Sequence, residues 1–259
     1  MTKIFYFSGT GNSLWSAKRI AQIIIEKNPK EKCELFNIGK EAQKSEIVIE
    51  ADTVVFVFPS YAYGLPLIVR RFAKKAAIKT PYIAALVTYG SSPGGTLGAL
   101  QRILRKKGIA KLFFVRIPAV ESYLAMFGAP KEETIQKRVT MQKKATKEAA
   151  INIIERQENE VSAFYPFSAF VSWLFSFGVK VFYKKYRLSA DCSGCGICEK
   201  ICPVCAIIIK NGKPVFTRKC EHCQGCINQC PLRAIQFGRI KFGTPGYRHP
   251  EIAVDDLAR

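Results

Sequence analysis

A chain of 259 residues is long enough for one large domain or two modest ones, and 48% hydrophobic with 23% charged residues is enough for a real core. Forty Lys and Arg against 20 acidic residues leave a formal charge of +20. No zinc-finger, RNA-recognition or helix-turn-helix signature accompanies that charge, so nucleic acid is not expected as partner, and the basic surface is read as a docking face for an acidic protein or a solvated exterior. Of ten cysteines, Cys33 stands alone and the other nine lie between Cys192 and Cys230. The opening MTKIFYFSGTGNS has no apolar stretch ahead of a small-residue cleavage site, so a cytoplasmic protein is expected. In that reducing compartment disulfides are not expected, and clustered cysteines read as metal ligands.

Lys3 to Ser8 (KIFYFS) is a short apolar run, followed by a Gly-containing turn and by LWSAKRIAQIIIEK, whose apolar spacing is helical. CELFNI is the next strand candidate, and ADTVVFVFP is a β-branched run of the kind buried on both faces of a parallel sheet. PLIVRRFAKKA reads as a helix begun by Pro66, YIAALVTYG as another buried strand, TLGALQRILRKKG as a helix stopped by Gly108, and KLFFVRIP as a fifth strand stopped by Pro118. Five strands separated by helices predict an α/β fold, a doubly wound parallel sheet over roughly residues 1–120. The charged, helix-favouring stretch Lys131–Gln157 either caps this sheet or links the two halves of the chain. Val161 to Val179 (VSAFYPFSAFVSWLFSFGV) carries no charge, holds Pro166, Gly178 and four serines, and is borderline for a bilayer span of about 20 residues. Burial between two domains is the expectation; the rival is an interfacial membrane helix flanked by Lys180, Lys184, Lys185 and Arg187.

Two segments then repeat one pattern, C-x-x-C-x-x-C-x-x-x-C-P followed by Ala-Ile. The first holds Cys192, Cys195, Cys198 and Cys202 with Pro203; the second holds Cys220, Cys223, Cys226 and Cys230 with Pro231. This is the bacterial signature for two [4Fe–4S] clusters. Three thiolates two residues apart can wrap three irons of one cubane, and the fourth, beyond a longer gap, starts a helix that reaches the other cluster. One cluster is therefore assigned to Cys192, Cys195, Cys198 and Cys230, and the other to Cys220, Cys223, Cys226 and Cys202. Gly194, Gly196 and Gly225 keep side chains out of loops where N–H groups approach sulfur, and Ile197, Ile201, Ile207, Ile227 and Ile235 supply dry packing. Zinc also favours paired C-x-x-C, but its closed four-ligand sites do not call for two C-P quartets. Cys205 is expected as a small residue beside a cluster, Cys33 as a core residue, and His222 on the surface.

After the first strand comes Ser8-Gly9-Thr10-Gly11-Asn12-Ser13, which lacks both the third glycine of a dinucleotide fingerprint and the Gly-Lys-Ser/Thr of an ATP loop. The segment resembles the flavodoxin phosphate loop, Ser/Thr-x-Thr-Gly-x-Ser/Thr, with Ser13 in place of the commoner threonine. The resemblance implies that Ser8, Thr10, Ser13, the Asn12 amide and backbone N–H groups around Gly11 wrap the phosphate of FMN at a helix N-terminus. Pro59–Pro66 (PSYAYGLP) and Thr88–Gly95 (TYGSSPGG) follow the third and fourth strands, where such a fold holds its ligand. By the same resemblance they are the two isoalloxazine loops. Ser60 belongs to the first, Tyr61 or Tyr63 would stack on one ring face, Tyr89 would lie near the other, and backbone at Gly64 and Gly90 would bond the ring edge.

The whole order is similar to the flavodoxin–ferredoxin fusion proteins of anaerobes, including the IPAVESYL segment after the fifth strand and the YRHPEI tail. It implies a flavodoxin-like FMN domain over 1–160, an apolar helical linker over 161–187, a two-[4Fe–4S] ferredoxin domain over 188–240 and a tail over 241–259. The function implied is electron transfer between FMN, the clusters and an acidic redox protein. The alternatives are an FMN-dependent reductase of a small acceptor and a membrane-associated electron conduit. A homodimer in which the clusters of one chain approach the FMN of its mate is left open. No His–Asp, Ser–His or paired-carboxylate constellation accompanies His222 and His249, so no catalytic acid or base is assigned.

Overall fold

Runs of β-branched and aromatic residues make five strands: β1 Thr2–Tyr6, β2 Cys33–Asn37, β3 Thr53–Pro59, β4 Ile83–Tyr89 and β5 Leu112–Pro118. They form one parallel sheet in the order β2-β1-β3-β4-β5, the doubly wound flavodoxin-like arrangement. The computed structural model describes residues 1–161, 165–238 and 240–258; residues 162–164 of the apolar segment, 239 of the cysteine region and 259 of the tail lie outside the described residues.

Helices α1 (Asn12–Lys27), α2 (Leu67–Lys75), α3 (Thr96–Arg105) and α4 (Glu132–Ile154) cover both faces. Alternation along each strand sorts the side chains. Ile4, Val55, Val57, Ala84 and Leu86 pack on Ala17, Ile20 and Ile24 of α1 and Ala149, Ala150 and Ile153 of α4. Phe5, Phe56, Phe58 and Val87 pack on Ile68 and Phe72 of α2 and Leu97 and Leu100 of α3. With both faces covered, a central strand has no polar side, which is why β3 and β4 are continuous apolar runs. The two roles left open for Lys131–Gln157 resolve in favour of capping: Gln142 Nε2 donates to the Asn12 carbonyl (2.8 Å) and to Ser16 Oγ (3.0 Å) of α1. A short parallel pair, Val48–Glu50 with Ala77–Lys79, adds a ribbon that sequence pattern did not indicate.

The apolar segment forms α5, Pro166–Phe182. It is not buried between domains, as expected from its composition. Ser172 and Val179 are its buried residues, while Phe167 is 73% exposed and Phe170, Trp173, Leu174, Phe177 and Val181 are all more than half exposed. Apolar content signals a tendency to leave water but does not supply a covering surface, and only a narrow stripe of this helix meets the rest of the chain.

The cysteine region is a small α+β module. Strand β6 (Tyr186–Leu188) pairs antiparallel with β9 (Ile235–Phe237), and β7 (Ile207–Lys210) pairs antiparallel with β8 (Lys213–Phe216). The module thus takes in Tyr186 and Arg187, the last two residues assigned to the linker. Short helices Ile197–Lys200 and Gly225–Asn228 carry the cysteine loops, and Cys198, Cys202 and Cys226 share a core with Ile207, Ile227, Ile235 and Phe237. Ile201 does not join this core; it packs on Leu14 and Trp15 of α1.

The tail returns to the sheet domain as a strap. Tyr247 OH donates to Asn12 Oδ1 (2.8 Å), Tyr247 N to Asn228 Oδ1 (2.8 Å) and His249 N to the Thr10 carbonyl (2.9 Å). The His249 ring is fully buried and stacked on Trp15 with centroids 5.0 Å apart, its Nδ1 accepting from Glu251 N. Burial lowers its pKa to about 4. The unfolded chain therefore takes up a proton near pH 6.5 that the folded chain refuses until about pH 4, so stability is lost as pH falls through that window. His249→Asn keeps an acceptor for Glu251 N but cannot be charged. Thermal unfolding should show the wild type losing about 2 kcal/mol more than this variant between pH 7 and pH 5; an identical pH response would refute the buried neutral imidazole.

Candidate functional site

The loops after β1, β3, β4 and β5 meet at the C-terminal edge of the sheet and enclose a cleft of about 450 Å³. That volume lies within the ~300–1,000 Å³ of small-molecule sites. Ser8, Thr10, Asn12, Ser13, Ser60, Tyr61, Tyr63, Tyr89 and Gly90 all line it. Two predicted residues do not. Gly11, at φ +99°, backs onto His249 and Ile252 of the tail, and Gly64 lies in a neighbouring groove against Ser172 of α5.

Within the first loop the side chains divide their work. Ser8 Oγ accepts from Gly11 N (3.1 Å), which tightens the turn at the start of α1. Asn12 is a strut: its Nδ2 donates to the Val120 carbonyl (3.0 Å) while its Oδ1 accepts from Tyr247. Ser13 Oγ is bonded to Thr88 Oγ1 (2.8 Å), tying the first loop to the end of β4. The Asn12 and Ser13 side chains, and Thr10 Oγ1 through Ser122, all expected to face the ligand, are thus engaged in internal bonds, leaving the Ser8 hydroxyl proton and the first turn of α1 as the polar end of the cleft. Ser60 Oγ is likewise turned to Thr96 Oγ1 (2.8 Å).

The second loop turns tightly through Ala62 (φ +45°) and Tyr63 (φ +61°), closed by Tyr61 N to the Gly64 carbonyl (3.0 Å) and Gly64 N to the Tyr61 carbonyl (2.9 Å). Two successive non-glycine residues in the left-handed region are strained, and strain of this kind gathers at ligand loops. A fourth loop, Ala119–Tyr123, completes the wall. Glu121 Oε1 accepts from Ser122 N (3.0 Å) and Tyr123 N (3.1 Å), and Thr10 Oγ1 donates to Ser122 Oγ (3.2 Å). No site residue was expected in this loop; its place after the fifth parallel strand was the available signal.

The eight motif cysteines fall into two groups. Cys192, Cys195, Cys198 and Cys230 line one small cavity with Ile197, Ile209, Pro231 and Ile235. Burial pushes the Cys198 thiol up to about 12, and its nearest cysteines in charge are Cys195, Cys230 and Cys192. Burial likewise raises Cys226 well above its ordinary value, and the cysteines adding to that are Cys223, Cys220 and Cys202 ahead of Cys198. Each fourth thiol therefore lies with the triplet of the other motif. The two halves also repeat in detail: Ala206 N donates to Cys202 Sγ (3.2 Å) and Ala234 N to Cys230 Sγ (3.3 Å). Thiols held this far above neutrality are unreactive unless a metal takes the place of the proton. Among the described residues no three Cys, His, Asp or Glu side chains close on one point as for a single ion. A four-iron cluster asks for a wider set, because each thiolate binds a different iron. Cys205, outside both sets, is half-buried and accepts from Gln43 Nε2 (3.1 Å).

The cleft and the second cysteine group share a wall. Cys223 and His222 line the cleft together with Val171, Leu174 and Phe175 of α5. A Cβ on Gly9 would stand 3.1 Å from the Cys223 carbonyl and 3.2 Å from its Cβ, and one on Gly225 would stand 2.8 Å from the Gly9 carbonyl, so the first loop and the cysteine loop meet backbone to backbone. Arg71 of α2 holds Glu221 at 2.6 Å, and the buried Glu221 carboxylate also accepts from N–H groups of Leu67 and Ile68 in the first turn of α2. His222, expected on the surface, is 2% exposed. Its Nε2 meets Tyr123 OH and its Nδ1 meets Tyr186 OH, both at 3.1 Å, and Phe175, Phe182 and Phe237 surround the ring. Burial lowers its pKa to about 4, so it is neutral at pH 7 and adds no charge to the wall.

No protein-family model and no curated protein matches the chain. Solved structures similar to it include the azoreductase from Bacillus anthracis, at 15% identity and a TM-score of 0.41 over 58% of this chain and 98% of that one. The Fusobacterium nucleatum flavodoxin bound to flavin mononucleotide matches at 14% and 0.41 over 61% and 98%, and a Streptococcus pneumonia flavodoxin at 12% and 0.39 over 60% and 99%.

The Gly9 contact is open to direct test. Gly9→Val would force apart two backbones, and should destabilise the full chain by roughly 1–3 kcal/mol in thermal unfolding, with Gly9→Ala costing less. A Val variant as stable as wild type would show that the two loops are not in contact.

Proposed function

We propose that this chain is an electron-transfer flavo-iron–sulfur protein, holding FMN in the cleft and two [4Fe–4S] clusters on eight cysteines, and exchanging electrons with an acidic redox protein. The observation that carries this is the shared wall: Cys223, a ligand of the proposed second cluster, lines the same cleft as the four strand-end loops. FMN takes one or two electrons and each cluster takes one, so a chain holding both can split a pair or gather singles.

The chain's own residues fit these groups. The Ser8 hydroxyl and the N-terminal turn of α1 suit a phosphate without a lysine. Tyr61, Tyr63 and Tyr89 give the other end the aromatic lining that a planar ring requires. Cys192, Cys195, Cys198 and Cys230 would hold one cluster, and Cys202, Cys220, Cys223 and Cys226 the other. The packed rings of His222, Tyr123, Tyr186 and Phe182 flank Cys223 along that wall and would keep the surroundings of the second set low in dielectric. Both cofactor types are anionic and would offset part of the +20 charge.

Anaerobic purification followed by metal and flavin analysis should return about eight irons and one FMN per chain. Single Cys→Ala variants then test the crossed sets. C198A and C230A should remove the same cluster, and C202A and C226A the other, as followed by iron content and electron paramagnetic resonance of the reduced protein. Zinc in place of iron, or C230A removing the cluster that C226A removes, would contradict the assignment.

A further inference from the structure

Apart from Leu174, which also lines the cleft, the exposed face of α5 has no use in the redox scheme. Phe167, Phe170, Leu174, Phe177 and Val181 follow the three-four spacing of a single helical stripe, and Trp173 broadens it, stacking on Phe170 at 6.2 Å and meeting Phe177 edge-on at 4.7 Å. A continuous aromatic ridge of this size on a surface marks a place where something else sits.

The charge around the ridge indicates what. Lys180 is on the helix, Lys184 and Lys185 follow it and Arg187 comes next in β6. On the other flank, a groove of about 420 Å³ separates α5 from α2 and α3, lined by Arg70, Arg102, Lys180, Ser168, Trp173 and Phe177. Among its described lining residues there is no Asp or Glu. Burial, and then the like charge of Arg102, depress the pKa of Arg70, and an anion in the groove would favour its charged form.

We propose that α5 docks on an anionic phospholipid surface, with its aromatic ridge in the headgroup–acyl boundary and lipid phosphate drawn to the Arg70–Lys180 groove. An aromatic ridge flanked by cations is the pattern of interfacial helices. With the 3-10 turn Tyr183–Lys185 the helical run Pro166–Lys185 reaches 20 residues, about the span of a hydrocarbon core, but its Ser172–Val179 stripe is packed on the protein and Lys180, Lys184 and Lys185 crowd its last turns, so it lies in the surface and does not cross. A second copy of this chain is a poorer occupant, because it would bring Lys180, Lys184 and Lys185 against their own kind on bodies each carrying +20. Val171, Leu174 and Phe175 also line the cleft, so a membrane beneath the ridge would face the mouth of the cleft.

The test is sedimentation of the intact chain with vesicles of phosphatidylcholine, with and without phosphatidylglycerol. Binding should be roughly tenfold or more tighter to the phosphatidylglycerol vesicles and should fall as salt is raised. The double variant Trp173→Ser/Phe177→Ser, both exposed positions, should lose binding; Lys184→Gln/Lys185→Gln should lose the preference for the anionic lipid. Absence of binding to either vesicle, or undiminished binding by Trp173→Ser/Phe177→Ser, would overturn the proposal. So would a dimer that this double variant dissolves, since the ridge would then belong to a second copy. The readout requires neither iron nor flavin, so its failure would leave the electron-transfer proposal standing, and the reverse also holds.

Discussion

The backbone contact between Gly9 and the Cys223–Gly225 loop governs how the two halves of this molecule relate. Side chains at those positions would separate the loops by the width of a methyl group or more. Without them, the turn that begins α1 lies directly on the loop that carries three of the second group's thiols. Other interactions hold the contact closed. Arg71 and the first turn of α2 grip Glu221, Asn228 Nδ2 donates to the Ser122 carbonyl (3.2 Å), and Tyr247 bridges Asn228 to Asn12. Together these bonds tie the cysteine module and the tail to α2, to the Ala119–Tyr123 loop and to the start of α1, so the cleft has its complete wall only when the module is docked.

Burial then shapes the chemistry of that wall. Thiols at Cys198 and Cys226 are held well above neutrality, and His222 is held neutral, because charge is costly among Phe182, Phe237 and the isoleucines around them. The chain itself is strongly basic, yet the basic groups sit outside this region, on α5, its flank and the helix surfaces. Anions are thereby attracted at the exterior, while the wall between cleft and cysteines holds a neutral His222 and keeps its buried carboxylate, Glu221, paired with Arg71.

Much of this was legible in the sequence, for identifiable reasons. Strands β3 and β4 are buried on both faces, so their runs of Val, Phe, Ala and Leu announce them. The cysteine spacing is legible because cluster geometry restricts where thiols can stand. What was hidden depends on partners far away in the chain. His222 looks like a loop residue until Tyr123, Tyr186 and Phe237, from three separate segments, enclose it. Asn12 matches a phosphate-loop position, but Tyr247, 235 residues later, claims its amide oxygen. The exposure of α5 was likewise hidden: a sequence states that Phe170 and Trp173 are apolar and leaves open whether the same chain covers them.

The central claim is that the cleft and the second group of thiols form one redox unit, and anomalous diffraction at the iron edge from crystals of the anaerobically purified chain tests it most directly. The account predicts two compact iron sites. The nearer to the sheet domain should be bound by Cys202, Cys220, Cys223 and Cys226, against a cleft filled by flavin density between Ser8 and Tyr89. A flavin lying outside the cleft, or a nearer iron site held by Cys192, Cys195, Cys198 and Cys230, would contradict it.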